Sequence, residues 1–388
     1  MKWRRLIFFI LWILSLVGIS YYGGIISYTL FWGLTMIPVI SFLYLLLVFA
    51  GFRIYQEIES RTIVCKEPMP YFFALPNEGF YTFAGISVRL FSRLSYVTDM
   101  GEDEEYELLP GDKYEYHTRM ICKYRGEYEV GVKEVILTDC FRLFRFRYKN
   151  AGTIKALVYP RVIHKAEIES LRDTLNVNSR MTPWQQTEPD VVTRAYIPGD
   201  ALKYIHWKAS VKEQQLKTRN MQGERKQDIW LLYDTCRYHS DEYVYMPLEN
   251  QILETVLALV AYLVEKNIDI TVCCGQSGMQ KNTVRGLNQF PLFYEQTAHV
   301  IFSEKEDIAA EMQHLIENNT LMNVQTMIVV SHQADSAFMG RLQALTLTGT
   351  NIIWYLITDD NAEEYLRQSN SRLKIIVLPI EGNLEDLL

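Results

Sequence analysis

The chain has 388 residues, enough for two or three domains, and 39 Lys and Arg against 46 Asp and Glu give it a net charge of −7. This mildly acidic balance argues against a nucleic-acid-binding protein. Hydrophobic residues make up 49% of the chain, and their density is highest at its start.

The first fifty residues predict a membrane anchor, a helical hairpin over residues 1–53. Residues 6–52 contain no charged side chain, a run too long for one crossing of a hydrocarbon core of about 30 Å at roughly 1.5 Å per residue. A break at Gly23-Gly24 predicts two transmembrane helices, 6–22 and 25–50, with Pro38 as a kink in the second.

The basic residues around this hairpin predict its orientation. Lys2, Arg4 and Arg5 precede the first helix, Arg53 and Arg61 follow the second, and the turn between the helices is uncharged. This bias predicts a two-span membrane protein with its N-terminus and soluble domains in the cytoplasm. The six cysteines form no C-x-x-C pair, which fits reduced thiols in the cytosol. A cleaved signal peptide at the start is the alternative interpretation.

Residues 54–160 change to short alternating runs separated by turn signals, which predicts a β-sandwich domain. Residues 114–124 and 128–137 flank Arg125-Gly126-Glu127 as the two strands of a hairpin would. The region is therefore expected to be built from antiparallel strands.

The densest cluster of special residues, 194–219, lies in a predicted connector, 161–227. Pro198-Gly199 predicts a tight turn, and Asp200 is placed to accept backbone N–H groups of a following helical turn. Two interpretations remain open: a clasp between two domains, and a docking surface for an anionic group or another protein. The predicted apolar side consists of Ile205, Trp207 and Leu216, and the predicted basic side of Lys203, Lys208, Lys212, Lys217 and Arg219.

The C-terminal region, 228–388, alternates strand and helix patterns. This order predicts a parallel sheet covered on both faces, a Rossmann-like α/β domain. Ligands of such sheets bind beyond the strand C-termini, which directs attention to Asp234. The predicted strands are 228–233, 268–274, 324–330, 351–357 and 373–378, and the predicted helices are 248–266, 305–318, 335–345 and 362–368.

Ten residues of the connector carry a motif at fixed spacing: Arg194, Tyr196, Pro198, Gly199, Asp200, Ile205, Trp207, Lys208, Ala209 and Ser210. This motif resembles the signature of the bacterial proteins grouped as domain of unknown function 58, which implies a location in the bacterial cell membrane for the predicted anchor. Lys203 and Val211 are departures from it, because Arg and Ala are usual there, and Lys lacks the bidentate fork of Arg.

Two further elements resemble the same family. Residues 125–131 are similar to its R-G-x-Y-x-x-G element, and residues 138–144 to its D-P-F-G-L-F element. Cys140 and Arg142 stand where Pro and Gly are usual in the second element. We interpret Asp139 and Phe141 as a structural corner.

The resemblance implies a von Willebrand factor A-like fold for residues 228–388. Metal-binding domains of that type carry D-x-S-x-S after the first strand, but here Cys236 and Tyr238 occupy the hydroxyl positions after Asp234. Cys is a poor ligand for Mg²⁺, and Arg237 adds unfavourable charge. We therefore predict a degenerate site that binds no metal or cofactor, with Asp234 capping the following turn. A cation on Asp234 is the alternative.

These observations favour a non-enzymatic scaffold or adaptor anchored in the membrane. Phosphate-loop, dinucleotide-binding, zinc-protease and nucleophile-elbow motifs are all missing from the sequence, and no catalytic residue is predicted. The resemblance implies partnership with a MoxR-type AAA+ ATPase and with a membrane transglutaminase-like protein, besides the lipid bilayer. The predicted partner-binding residues are Arg194, Tyr196, Pro198, Gly199, Asp200, Lys203, His206, Trp207 and Lys208.

Two other functions remain open from the sequence. One is an enzyme or metal-dependent ligand-binding protein whose site is built from Asp200, His206 and Asp234. The other is an envelope sensor in which the hairpin transmits a lipid or envelope signal. The vicinal pair Cys273-Cys274 lies in an apolar run, which favours packing over redox chemistry.

Overall fold

In the computed structural model, the chain divides into two compact units, residues 1–161 and residues 162–388, and each is described by itself. The described residues are 2–59, 62–98, 100–101, 105–150, 152–173, 193–196, 205–219, 229–274, 280–304, 307–318, 320–321, 324–332, 335–360 and 362–388.

The first unit begins with the two predicted apolar helices, α1 (Lys2–Tyr22) and α2 (Ile25–Gly51). The chain reverses at Gly23, whose φ of 54° lies in the left-handed region that glycine tolerates. Helix α2 continues through Pro38. Both helices are long and apolar enough to cross a membrane.

Eleven strands follow the helices in the described part of the first unit and form three sheets, ordered β1-β3-β7-β5, β10-β9-β4-β6 and β2-β11-β8. Side chains from all three sheets share one core, into which α2 inserts Leu45, Val48 and Phe52. The strands are β1 (Tyr55–Ile58), β2 (Ile63–Val64), β3 (Pro68–Pro76), β4 (Phe83–Leu90), β5 (Ser95–Val97), β6 (Glu105–Leu108), β7 (Lys113–Cys122), β8 (Gly126–Val130), β9 (Val132–Thr138), β10 (Arg145–Lys149) and β11 (Ile154–Tyr159).

The predicted hairpin around Arg125-Gly126-Glu127 is wrong. Strand β7 pairs with β3 and β5, whereas β8 pairs with β11, and β9 pairs with β4 and β10. The predicted strand 128–137 is divided at Gly131, whose φ of 83° interrupts the extended backbone. The residues on either side of Gly131 therefore join different sheets, which alternation of polar and apolar residues could not reveal.

The second unit contains a six-stranded sheet ordered β16-β15-β14-β17-β18-β19. Its parallel strands β14 (Ile229–Tyr233), β15 (Ile270–Cys274), β17 (Thr326–Ser331), β18 (Asn351–Ile357) and β19 (Leu373–Leu378) confirm the five predicted strands. An edge strand, β16 (Gln280–Val284), was missed and runs antiparallel to β15. The connection from β15 to β16 is too short for a crossover helix, so only antiparallel pairing is available.

Helices cover both faces of this sheet. Alternate residues of β14 point to opposite cores: Leu231 and Tyr233 to one, and Leu232 to the other. The helices of the second unit that position these cores are α4 (Glu242–Glu265), α5 (Phe290–Ala298), α6 (Ile308–Glu317), α7 (Ser336–Leu347), α8 (Glu363–Leu366) and α9 (Leu384–Leu387), and a shorter helix, α3 (Trp207–Glu213), precedes them in the chain.

Helix α4 begins six residues before the predicted start at 248. Asp241 caps it by accepting a hydrogen bond from the Tyr243 N–H over 3.1 Å, and Pro247 lies within its first turns. The helix is long and apolar enough to cross a membrane, but its apolar stretch is buried throughout inside the second unit. Its length and composition therefore reflect a central position in the α/β core.

Candidate interaction site and the carboxyl edge of the parallel sheet

The described residues of the connector motif form a small scaffold of two strands and one helix. Strand β12 (Thr193–Ala195) pairs antiparallel with β13 (Lys217–Arg219), and α3 lies between them in the chain. The Tyr196 N–H donates to the Leu216 carbonyl, and the His206 N–H donates to the Lys217 carbonyl, each over 2.8 Å. The helix is therefore tied at its start to the strand that follows it.

His206 and Ser210 hold α3 in place. His206 is the N-cap, and its Nδ1 accepts a hydrogen bond from the Ala209 N–H over 3.1 Å. The buried Ser210 hydroxyl donates to the His206 carbonyl over 3.0 Å and accepts from the Lys217 N–H over 2.8 Å. Two residues of the connector motif thus fix the local backbone, a role that spacing alone did not predict for Ser210.

One side of α3 is exposed. Trp207 is 65% exposed and Val211 is 78% exposed, and their i, i+4 spacing puts them on the same helix face. Lys208 and Lys212 are also exposed and lie beside them. We call these four residues the α3 strip. The α3 strip combines one apolar pair, Trp207 and Val211, with two positive charges beside it on a fixed helix.

The predicted division into an apolar side and a basic side is partly wrong. Ile205 is only 5% exposed and pairs with Thr218 in the strand scaffold, so it does not share a surface with Trp207. Lys217 forms an ion pair with Glu213, Nζ to Oε2 2.9 Å, and this contact lowers the pKa of Glu213. Lys217 is therefore part of the scaffold and not of the α3 strip.

Several predicted motif residues lie outside the described residues, and the clasp between domains stays a prediction. Arg194 belongs to β12 with a described backbone only, and the Tyr196 side chain is half-buried. The predicted residues outside the described ranges are Pro198, Gly199, Asp200 and Lys203.

Asp234 follows β14 at the carboxyl edge of the parallel sheet and is fully buried. Its Oδ1 accepts a hydrogen bond from the Cys236 N–H over 2.9 Å, which caps the following turn. Its Oδ2 accepts from the Tyr238 hydroxyl over 2.6 Å. Burial raises the pKa of Asp234 above its ordinary value, although hydrogen bonds from Tyr238, Cys236 and the His332 N–H oppose the shift.

Tyr238 and His332 lie beside this carboxylate, and Arg237 pairs with a second buried carboxylate, that of Glu249. The Tyr238 ring contacts the His332 ring edge-to-face, with centroids 5.2 Å apart, and His332 comes from the neighbouring strand end. Arg237 forms two hydrogen bonds with the buried carboxylate of Glu249, Nε to Oε1 2.7 Å and Nη2 to Oε2 3.3 Å. These contacts join residues that are separated in the chain, so no local motif predicts them.

The residues around Asp234 do not fit a hard cation. Both carboxylate oxygens already accept hydrogen bonds, and the phenol of Tyr238 occupies the approach to Oδ2. Within the described ranges, no group of three or more His, Cys, Asp or Glu side chains could hold a metal ion. The arrangement is a closed local network centred on a buried acid.

A cleft of about 380 Å³ lies beside the ends of β14 and β15, next to β16 and α5. Its position beyond parallel strand ends is typical of ligand sites in such sheets. Cys273, between the lining residues Val272 and Cys274 on β15, points to the opposite core, where burial raises the pKa of its thiol to about 12, so this thiol is not ionised at neutral pH. The polar and aromatic groups that line the cleft include Tyr233, Cys274, Asn282, Glu295, Gln296 and His299.

Comparison with known proteins confirms the resemblance predicted from the connector motif. Residues 192–286 match the family model described as "Protein of unknown function DUF58". The match includes the α3 scaffold, β14, Asp234 and α4. No curated protein matches the sequence.

Two solved structures illustrate what the chain is similar to in shape. One is a von Willebrand factor type A protein from Catenulispora acidiphila, with 8% identity, a TM-score of 0.30, and coverage of 44% of this chain and 41% of that protein. The other is a cohesin module from a family 33 glycoside hydrolase of Clostridium perfringens, with 4% identity, a TM-score of 0.18, and coverage of 28% of this chain and 96% of that module.

Proposed function

We propose that this chain, with its DUF58 segment at residues 192–286, is a non-enzymatic scaffold that binds other proteins at the membrane surface. Helices α1 and α2 anchor it in the bacterial cell membrane, with the N-terminus and the soluble domains in the cytoplasm. The strand module, which consists of strands β1 to β11 of the first unit, is a β-sandwich, and the second unit is a von Willebrand A-like adaptor. The α3 strip is the surface that contacts the partner.

The exposure of Trp207 carries this proposal. A tryptophan that leaves 65% of its surface in water contributes little to folding, whereas buried at an interface it is the residue type most enriched among binding hot spots. Ser210 and His206 hold the helix that presents it, so binding need not order a flexible segment. The helix therefore presents Trp207 in a fixed position before a partner binds.

The charge of the α3 strip indicates the kind of partner. Lys208 and Lys212 lie along one side of Trp207 and Val211, so a complementary surface has an apolar pocket with an acidic patch beside it. The family resemblance nominates a MoxR-type AAA+ ATPase as the first partner to test, and a membrane transglutaminase-like protein as the second. The assembly or maturation of client proteins is the process we assign to this pairing.

The alternative of an enzyme or metal-dependent binding protein built on Asp200, His206 and Asp234 has less support at the two of these residues that the structure describes, His206 and Asp234. His206 uses Nδ1 to cap α3, and Asp234 uses both oxygens in local hydrogen bonds. Each group therefore has a structural task that chemistry at the same atoms would disrupt.

The test is recovery of the partner ATPase from membranes with the full-length chain as bait. We expect Trp207→Ala and Val211→Ala to reduce recovery, Trp207→Ala by about 30-fold or more, corresponding to a hot-spot loss of about 2 kcal/mol. Leu347→Ala is the matched control, because Leu347 is an apolar side chain 87% exposed on α7 of the same unit. Equal recovery with all three folded variants would refute the assignment of the α3 strip.

A further inference from the structure

The hairpin α1–α2 defines a depth scale for the strand module. Trp12 Nε1 donates to Thr35 Oγ1 over 3.1 Å, so these residues lie level with each other. Every residue adds the same rise along both antiparallel helices. Arg5, seven residues before Trp12, therefore lies level with Phe42, seven residues after Thr35. The rise from Ile25 to Phe42 is about 25 Å, close to a hydrocarbon core of about 30 Å.

This level marks a membrane boundary for an anchored chain, because a basic side chain such as Arg5 suits the headgroup region. Beyond it, Leu45, Val48 and Phe52 of α2 are buried in the strand core and are not available to lipid. Only the first part of α2 is therefore left to span the bilayer. The strand module must begin at the boundary itself.

The 139–144 loop of the strand module is fixed at this level. Arg5 Nε donates to a carbonyl of this loop over 2.7 Å. The Ser41 hydroxyl of α2 donates to the buried carboxylate of Asp139. The same carboxylate accepts from the Phe141 N–H over 3.2 Å and from a second loop N–H over 2.6 Å, which confirms the predicted structural corner.

A second loop, 77–82, is fixed about one helical turn away. The Tyr44 hydroxyl of α2 donates to the Thr82 carbonyl. Asn77 Nδ2 donates to the Tyr81 carbonyl over 2.8 Å and to the Leu109 carbonyl over 3.0 Å. A third loop, 109–112 between β6 and β7, is thereby joined to the 77–82 loop and lies in the same region.

Strand pairing confirms that the three loops share one end of the sheets. The residue pairs that close this end are Pro76 with Lys113, Phe83 with Leu108, and Thr138 with Arg145.

Large apolar side chains project from these loops. Phe80 is 93% exposed, Phe141 and Leu109 are each 56% exposed, and Tyr81 is 46% exposed. We call these four residues the loop rim. Three exposed aromatic residues and a leucine at one end of a module are costly in water, but they fit the interface of a bilayer, where aromatic side chains are enriched.

We propose that the loop rim inserts into the headgroup and upper acyl region of the lipid bilayer, so that the strand module is itself partly embedded in the membrane. This inference rests on the membrane anchoring proposed above, because α1 and α2 set the depth. The rim is continuous with the lipid-exposed part of α2 through the Ser41 and Tyr44 contacts. Besides the two helices, the bilayer then contacts a third, rigid surface that fixes the orientation of the module.

Photo-crosslinking of the full-length chain tests the inference in vesicles of phosphatidylethanolamine and phosphatidylglycerol. The photoreactive amino acid p-benzoylphenylalanine is placed singly at Phe80 or Phe141, at Phe9 of α1 as the anchoring control, and at Tyr96 as the negative control. Tyr96 is 43% exposed, and its partner Ile121 lies at the opposite end of β7, about 25 Å along the strand from the rim. Lipid adducts are counted by mass spectrometry.

The inference is supported if Phe80 and Phe141 give lipid adducts at about ten-fold the Tyr96 yield and comparable to Phe9. Adducts at Phe9 without adducts at the rim would overturn it while leaving the anchor intact. No lipid adduct at Phe9 would overturn the anchoring and the inference together. Rim adducts to protein instead of lipid would also overturn it. Phe80→Trp, quenched by brominated lipid more strongly than Tyr96→Trp, provides an independent readout.

Discussion

The clearest test of the packing in the first unit is the replacement of Gly131 by alanine. Gly131 has a φ of 83°, and a Cβ there would lie 2.6 Å from Gln56 Oε1 and 3.0 Å from the Tyr71 hydroxyl. These atoms already interact, because Gln56 Oε1 accepts from the Tyr71 hydroxyl over 2.8 Å and from the Val132 N–H over 2.9 Å. Alanine must therefore push the Gln56 amide away from two donors.

The chain supplies a matched control for the backbone cost. Gly111 has the same φ of 83°, but no atom lies within 4 Å of its ideal Cβ. Alanine at Gly111 costs about 1–2 kcal/mol for left-handed backbone, reduced by about 0.4–1 kcal/mol because the unfolded chain loses freedom. Gly131→Ala has this cost and also loses two hydrogen bonds to partly or fully buried donors, at about 1–3 kcal/mol each. We expect it to be about 2–6 kcal/mol more destabilising than Gly111→Ala.

Hydrogen exchange of the full-length chain in detergent measures this difference. Backbone amides of β3 and β9 should exchange faster in Gly131→Ala than in Gly111→Ala, by roughly 30-fold or more for about 2 kcal/mol. Equal protection in the two variants would refute the reasoning, because it would show that the Gln56 and Tyr71 contacts do not limit the opening of these strands.

Three other predictions concern the second unit. Ser210→Ala should accelerate hydrogen exchange of the Lys217 amide roughly 5- to 150-fold, because a buried acceptor worth about 1–3 kcal/mol is lost. Val211→Ala should leave this exchange rate unchanged, and equal rates in the two variants would contradict the prediction. Burial raises the pKa of Asp234, so the unfolding free energy of the wild type falls as pH rises from about 4, the unfolded value, through the folded pKa. Asp234→Asn lacks that fall, so its unfolding free energy from denaturant titrations should rise relative to that of the wild type as pH rises. A difference that does not change with pH would count against the buried carboxylate. Arg237→Ala should cost about 3–5 kcal/mol by removing the guanidinium from a buried carboxylate, and Arg237→Lys should cost less; the reverse order in the same titrations would disprove the pairing.

The local elements were largely predictable from the sequence. The absence of charge over residues 6–52 and the glycine break predicted α2 to within one residue and the end of α1, because both features act within one helix. Helix α1 begins four residues before the predicted start, since it includes the basic residues that precede the apolar run. The buried strands of the second unit were equally clear, since a strand covered on both faces must be a continuous apolar run. The family resemblance carried by the connector motif was also readable from one segment.

Pairing between segments could not be predicted in the same way. Alternation in residues 114–137 indicated strands, but their partners depend on Gly131 and on the sheets that its two sides join. The edge strand β16 was missed, because its polar residues 280–283 show no buried face in the sequence. The role of Ser210 was likewise hidden, since its hydrogen-bond partners form only when α3 packs against β13.

The sequence by itself thus determined which segments are apolar helices, which are buried strands, and which family the connector resembles, because each property is encoded in consecutive residues. Tertiary structure alone decided that His332 lies beside Asp234 and against Tyr238, and that three separate loops bring the loop rim to one end of the strand module. The physical reason is that hydrogen bonds and packing depend on distance in space. The sequence around one residue does not reveal which distant residue it will contact.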